Sequence, residues 1–190
     1  MKIIETVKAA LPVSHLEQIS RLCAKEDYWM AWTHKPFSIK EWTYASDGSC
    51  IARIPRVKGY EKISGMDYPA NLNQFPWDHA AGFEFVPVRQ PALEEFDTCD
   101  YCEGTGLWEN QVCVECRGME VDIDTIDPDK ALRIGSHRLS LNYAYKLNLY
   151  FSGFKICPDV CEKTGAYRWM FDHGCGYVMP LSEQKRRSVS

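Results

Sequence analysis

The sequence has no apolar run approaching the roughly 18 residues that a membrane-crossing helix needs. Met1-Lys2-Ile3-Ile4-Glu5 brings in an acid at once. Neither a membrane span nor a signal peptide is therefore expected. The short motifs that announce common chemistries are missing too: there is no phosphate loop, no dinucleotide fingerprint and no His-Glu-x2-His helix. Positive charge is in short supply, with 22 Lys+Arg against 26 Asp+Glu and a net charge of -4. A negative chain is badly suited to holding nucleic acid over its whole surface, which leaves only a local basic face for that purpose. These absences point away from an enzyme and toward a cytoplasmic chain in a reducing compartment. There, closely spaced cysteines serve metals more often than disulfides.

What is present is a folded, aromatic-rich composition. The 190 residues are 45% hydrophobic and include 8 Phe, 10 Tyr and 6 Trp. That length can bury a substantial core unaided, so any metal would staple one segment rather than hold the whole chain. Ser14 and Glu17 have capping-box spacing, and Leu16, Ile19, Leu22 and Cys23 behind them predict an amphipathic helix over 14–26. A strand is expected before it, at 2–7. Asp47-Gly48 between two strand-forming runs predicts a hairpin turning at 46–49. Residues 58–80 read as a long irregular connection and 83–88 as a strand. Further on, 119–123 and a pair at 132–135 and 137–139 read as strands, 141–151 as a second helix, and 153–157, 166–171 and 176–179 as three closing strands. The turn between the last two is placed at Asp172-His173-Gly174. A pattern of strand, helix and further strands thus occurs twice, over 1–90 and 119–180, within a single α+β domain.

Between these halves lies a cysteine segment, 97–119. Cys99-Asp100-Tyr101-Cys102 and Cys113-Val114-Glu115-Cys116 are two Cys-x2-Cys pairs. Two intervening residues let both sulfurs of a pair turn toward one point, and the second pair closes a tetrahedron around zinc. Four thiolates leave no position open for water, so Cys99, Cys102, Cys113 and Cys116 should hold zinc structurally. The metal and its thiolates would add −2 to the folded charge. Gly104, Gly106 and Gly118 follow the pairs, where glycine permits tight turning around an ion. This segment resembles the cysteine-rich repeats of DnaJ-type co-chaperones, Cys-x2-Cys-x-Gly-x-Gly. Residues 99–106 match the repeat fully, and 113–118 match it until Glu120 replaces the last glycine. The co-chaperones carry four repeats where this chain has two, and their His-Pro-Asp signature is missing here. What the resemblance implies is a zinc staple rather than a chaperone.

Other constellations have plainer alternatives. Cys157, Cys161, His173 and Cys175 form a possible second metal set, though as spaced they equally read as core cysteines and a turn histidine. Cys23 or Cys50 with His34, His79, His137 or His173 would be needed for thiol catalysis, and none sits in a nucleophile motif. Asp122 and Asp124 share a strand face, but such a run is more often a solvated loop. Arg21, Lys25, Arg133, His137, Arg138, Lys146 and the 185–187 tail are the candidates for nucleic-acid contact, with Trp29, Trp32 and Trp42 as rings for stacking single strands. An enzyme site would have to lie in the aromatic 27–44 and 58–80 regions. Tyr101, Leu107 and Trp108 would either meet a protein partner or cover the zinc segment's own small core.

The two halves also resemble one domain of the bacterial DNA sliding clamp, the β-subunit family. Residues 44–53 look like that family's Thr-Asp-Gly-x-Arg-Leu-Ala hairpin, departing from it at Ser49-Cys50-Ile51, and 174–181 look like its closing strand with a Met-Pro end. The resemblance implies a layered α+β domain with two helices on one side of curved sheets. It also implies a role near DNA, with a homo-oligomer needed to complete a ring. The zinc segment and the 58–80 connection lie outside that pattern. The reading from sequence is a non-enzymatic, zinc-containing, clamp-like interaction module for a protein partner or DNA.

Overall fold

The computed structural model describes residues 14–24, 30–61, 72, 75–77, 82–91, 97–116, 121–122 and 130–181. The expected strand at 2–7, Trp29, Lys25, His79 and the 185–187 tail lie outside the described residues.

Helix α1 (His15–Ser20) begins where Ser14 accepts a hydrogen bond from the Glu17 amide at 3.2 Å. The reciprocal arm of the capping box is not made. Glu17 instead reaches Arg21 at 3.9 Å, an exposed pair that contributes little. The helix stops earlier than 26 because Leu22 and Cys23 donate to Ile19 and Ser20, three residues back, which tightens the last turn. Strands β1 (Phe37–Ile39), β2 (Trp42–Ser46) and β3 (Cys50–Pro55) follow as an antiparallel meander. The Asp-Gly hairpin sits where the sequence puts it. Gly48 takes φ 97, and the Asp47 carboxylate accepts the amides of Ser49 and Cys50 at 3.0 and 2.8 Å.

The expected 83–88 strand shrinks to β4 (Val86–Pro87), the edge strand of the sheet, where Pro87 opposite Lys155 is tolerated. Three two-stranded ladders come next: β5 (Asp97–Thr98) with β8 (Val121–Asp122), β6 (Leu107–Trp108) with β7 (Gln111–Val112), and β9 (Ala131–Ile134) with β10 (His137–Ser140). Helix α2 (Leu141–Tyr150) is capped by Ser140, and β11 (Lys155–Val160), β12 (Tyr167–Phe171) and β13 (Gly174–Val178) close the chain as a second meander.

One seven-stranded sheet in the order β1-β2-β3-β13-β12-β11-β4 dominates, and every neighbouring pair in it is antiparallel. The fold is α+β with this sheet and two short helices. The expected repeat of strand, helix and strands is not seen in that form among the described residues. The strand before α2 belongs to the separate β9–β10 ladder, not to the large sheet. A helix followed by a three-stranded meander does occur twice, and the two meanders join at β3 and β13.

Alternation along the strands sends successive side chains to opposite faces. On one face Ala45, Ala52, Ile54, Trp169, Phe171 and Val178 bury against Ile19 of α1 and against Leu141, Ala144, Tyr145 and Leu147 of α2. Full burial of each of the Ile, Leu, Val and Phe side chains among them contributes about 1.5–3 kcal/mol. The row Trp169, Gly176, Ala52 and Ala45 runs straight across four paired strands. A Cβ at Gly176 would collide with the Trp169 indole and the Ile51 carbonyl, so the ring lies over bare backbone.

The opposite face is aromatic. Phe37, Tyr44, Ile51 and Tyr177 pack there with Leu72, Phe75 and Trp77 from the stretch expected to be an irregular connection. In its midst Arg53, 5% exposed, lies between the rings of Trp42 and Trp77, 3.9 and 4.6 Å from their centroids. Long-range hydrogen bonds tie the layers. Tyr143 of α2 donates to Asp47 at 3.1 Å, and Tyr167 of β12 donates to the Ile134 carbonyl of β9 at 2.8 Å.

Two measurements test this packing. Gly176→Val should lower the urea midpoint at unchanged slope, by about 1–3 kcal/mol of overpacking strain. Burial pushes the Tyr167 hydroxyl up to about 12. A raised folded-state pKa means stability is intact below the ordinary tyrosine value of about 10 and is lost as pH climbs from there toward about 12. Tyr167→Phe should flatten that alkaline fall in unfolding titrations while lowering stability at neutral pH through the lost hydrogen bond.

Candidate metal centre

The cysteine segment forms a tongue. Its base is the β5–β8 ladder, in which Asp97 faces Asp122 and Thr98 faces Val121. Above the base the first cysteine pair turns through Glu103 and Gly104, both at positive φ. The Gly104 amide donates to the Cys99 carbonyl at 3.2 Å, and the Thr105 amide to the Cys102 carbonyl at 3.0 Å. Hairpin β6–β7 then reverses at Glu109 and Asn110, with φ 49 and 63, the double left-handed turn that suits a two-residue hairpin. It delivers the second pair, whose Cys113 amide donates back to Gly106 at 3.0 Å.

The result is convergence. The four sulfurs of Cys99, Cys102, Cys113 and Cys116 all lie within 4.8 Å of one another. Cys102 and Cys116 are 3.6 Å apart, far beyond a disulfide bond and close to the roughly 3.8 Å edge of a tetrahedron with 2.3 Å metal–sulfur bonds. All nine cysteines of the chain are free thiols. The four in the tongue are between 0% and 4% exposed, so no face of the site opens to solvent. Burial works against the Cys102 thiolate, but hydrogen bonding from Cys116, the Gly106 amide and the other two thiols outweighs it and brings the group down to about 7. Burial raises Cys99 instead. This donor set is capable of chelating a metal ion.

The tongue does not project free of the domain. Its cysteines belong to the same buried cluster as Ile19, Leu22 and Cys23. Val112, Cys113 and Val114 face Glu17, Ser20, Arg21, Cys23, Ala24 and His34 across a groove of about 410 Å³. Two aromatic side chains of the tongue are exposed. Tyr101 and Trp108 are 44% and 47% exposed, with ring centroids 4.7 Å apart, so they rest on each other rather than roofing a small core.

The other candidates separate. Among the described residues the four tongue cysteines are the one group of three or more His, Cys, Asp or Glu placed to share a metal. Cys157 is buried on β11, Cys161 follows that strand in the aromatic-face cluster, and Cys175 opposes Arg53 on β13. His173 stacks on His15 at 3.5 Å. Cys161 is lowered by the Thr164 hydroxyl and nearby amides against the pull of burial. Cys50 moves the other way: burial first, then Asp47, raise it well above the usual thiol range, which makes it inert.

Arg21, Arg138 and Lys146 belong to elements on the helix side of the sheet, with Arg21 over the Tyr150 ring and Lys146 over Tyr143. Trp32 and Trp42 pack on the opposite side. These three basic groups and the rings of Trp32 and Trp42 therefore belong to different sides of the sheet. Among the described residues, no helix is long and apolar enough to cross a membrane.

No family model matches the chain, and neither a curated protein nor a solved structure matches it. The site thus rests on its own geometry. Cys99→Ser should speed amide exchange across 97–116 while β3 and β13 stay protected. Leu147→Ala, in the core under α2, should instead cost about 2–5 kcal/mol of global stability in a denaturant titration.

Proposed function

We propose that the chain is a non-enzymatic, zinc-containing interaction module, with zinc held by Cys99, Cys102, Cys113 and Cys116 and the tongue presented to a protein partner. The observation that carries this reading is the meeting of four buried sulfurs at one point with no open coordination position. All-sulfur tetrahedral donors select zinc or iron–sulfur clusters, and the paired two-residue spacing suits a mononuclear structural zinc. Thiolates and metal bring the local charge down by two, and metal binding supplies folding free energy to a segment with few apolar contacts of its own. In this role the resident ion does no chemistry. It fixes the turns at Glu103-Gly104 and Glu109-Asn110 and so holds the outer rings in place.

A clamp-like layering and a role at DNA are the finer part of the proposal. Support for them comes from the twice-used helix and three-stranded meander, and from two helices sharing one face of the sheet, where Arg21, Arg138 and Lys146 also belong. The alternative of a single-strand binder is weakened by the separation of those cations from Trp32 and Trp42. An enzyme in the aromatic 27–44 region is weakened because Trp32, Phe37, Tyr44 and Trp77 pack on one another there.

Native mass spectrometry of protein made with adequate zinc should show one zinc per chain, lost on substituting any of the four cysteines by serine. A metal-free chain with an unchanged fold, or an iron–sulfur absorption spectrum, would overturn the assignment.

A further inference from the structure

The tongue is chemically one-sided. From one foot of its stalk to the other, residues 97–122, the tongue contains seven acids, Asp97, Asp100, Glu103, Glu109, Glu115, Glu120 and Asp122, against one base, Arg117. Asp97, Asp100, Glu103, Glu109 and Glu115 are exposed. If the zinc reading above holds, the four-thiolate site adds two further negative charges beneath them. Within this acidic shell stand Tyr101 and Trp108, among the larger exposed apolar side chains of the described residues. Their placement is fixed rather than incidental. Tyr101 sits inside the first Cys-x2-Cys turn, between Asp100 and Cys102. Trp108 is the last residue of β6, directly before Glu109, is opposed across the hairpin by Gln111, and packs its ring against that of Tyr101.

We infer that the tongue is a receptor for a lysine- and arginine-rich segment of a partner protein, and that a guanidinium or ammonium group of that segment docks against the Tyr101 and Trp108 rings. The inference rests on the zinc-module reading and names the partner of the same tongue. Two forces act together here. The acids and the metal site attract cations over several ångströms, and an indole face is the preferred ring for a cation at contact distance. The interior of the same chain already shows the contact geometry, where Arg53 lies over Trp42 at 3.9 Å. The same charge that attracts a basic peptide repels a phosphate backbone, so DNA is not the occupant of the tongue.

The test uses the full chain, its zinc content measured first. Fluorescein-labelled peptides of alternating Arg-Gly, Lys-Gly and Glu-Gly, together with a labelled oligothymidine, are titrated by fluorescence anisotropy at low and high salt. The expected result is binding of Arg-Gly, weaker binding of Lys-Gly, and none of Glu-Gly or oligothymidine. Trp108→Ala and Tyr101→Ala should each weaken Arg-Gly binding about five-fold without loss of zinc. Glu103→Gln with Glu109→Gln should reduce the salt dependence. The inference is overturned if the zinc-loaded chain ignores Arg-Gly, if Trp108→Ala binds it as tightly as the parent, or if oligothymidine competes for the tongue. A chain without zinc would bring down the metal assignment as well, and the prior zinc measurement tells the two failures apart.

Discussion

The antiparallel ladder between β3 and β13 is the constraint on which the remaining architecture depends. It is the seam where residues far apart in sequence meet, pairing Cys50 with Val178, Ile51 with Tyr177, Ala52 with Gly176 and Arg53 with Cys175. A slip of one residue would exchange the faces, sending Tyr177 and Arg53 toward the helices and Gly176 and Ala52 toward the rings. Neither layer could then close. The small residues in the row are what let Trp169 lie flat and the helices approach, and Arg53 has its two tryptophans only on the other side.

The tongue stands in a different relation to this seam. Its own ladder, hairpin and turns are short, and what they bring together is four buried sulfurs at one point. Yet it is not independent, since its second cysteine pair lies against the end of α1, and α1 packs on β2 and β3. The cysteine cluster is therefore joined to the sheet through one short helix, while Tyr101 and Trp108 stay exposed to solvent.

Much of this was legible in the residues. Cysteine spacing with following glycines located the four-cysteine cluster, because ligand geometry is local and tolerates few alternatives. Asp47-Gly48 located a hairpin for the same reason, and the apolar spacing of 141–151 located α2 to within one residue. What could not be read was long-range. Nothing local in 83–88 says that only Val86 and Pro87 find a partner strand, or that 72–77 lays Phe75 and Trp77 over the sheet. That Arg21 and the rings of Trp32 and Trp42 belong to different sides of the sheet could not be read either, because sequence proximity does not fix which face of a sheet an element covers. The excess of acids in the tongue was visible in the string, but it acquires meaning only once Tyr101 and Trp108 are seen outside rather than inside.

The stalk of the tongue has a consequence for ancestry. Asp97 and Asp122 face each other across a ladder, so the excursion leaves and re-enters the domain through neighbouring points. A tight reverse turn could span that gap as a connector, with the loss of the tongue's packing against the end of α1. Heredity can therefore splice such a cassette in, trade it for another, or delete it without re-threading a strand, and lineages that differ in this one appendage could share everything beneath it.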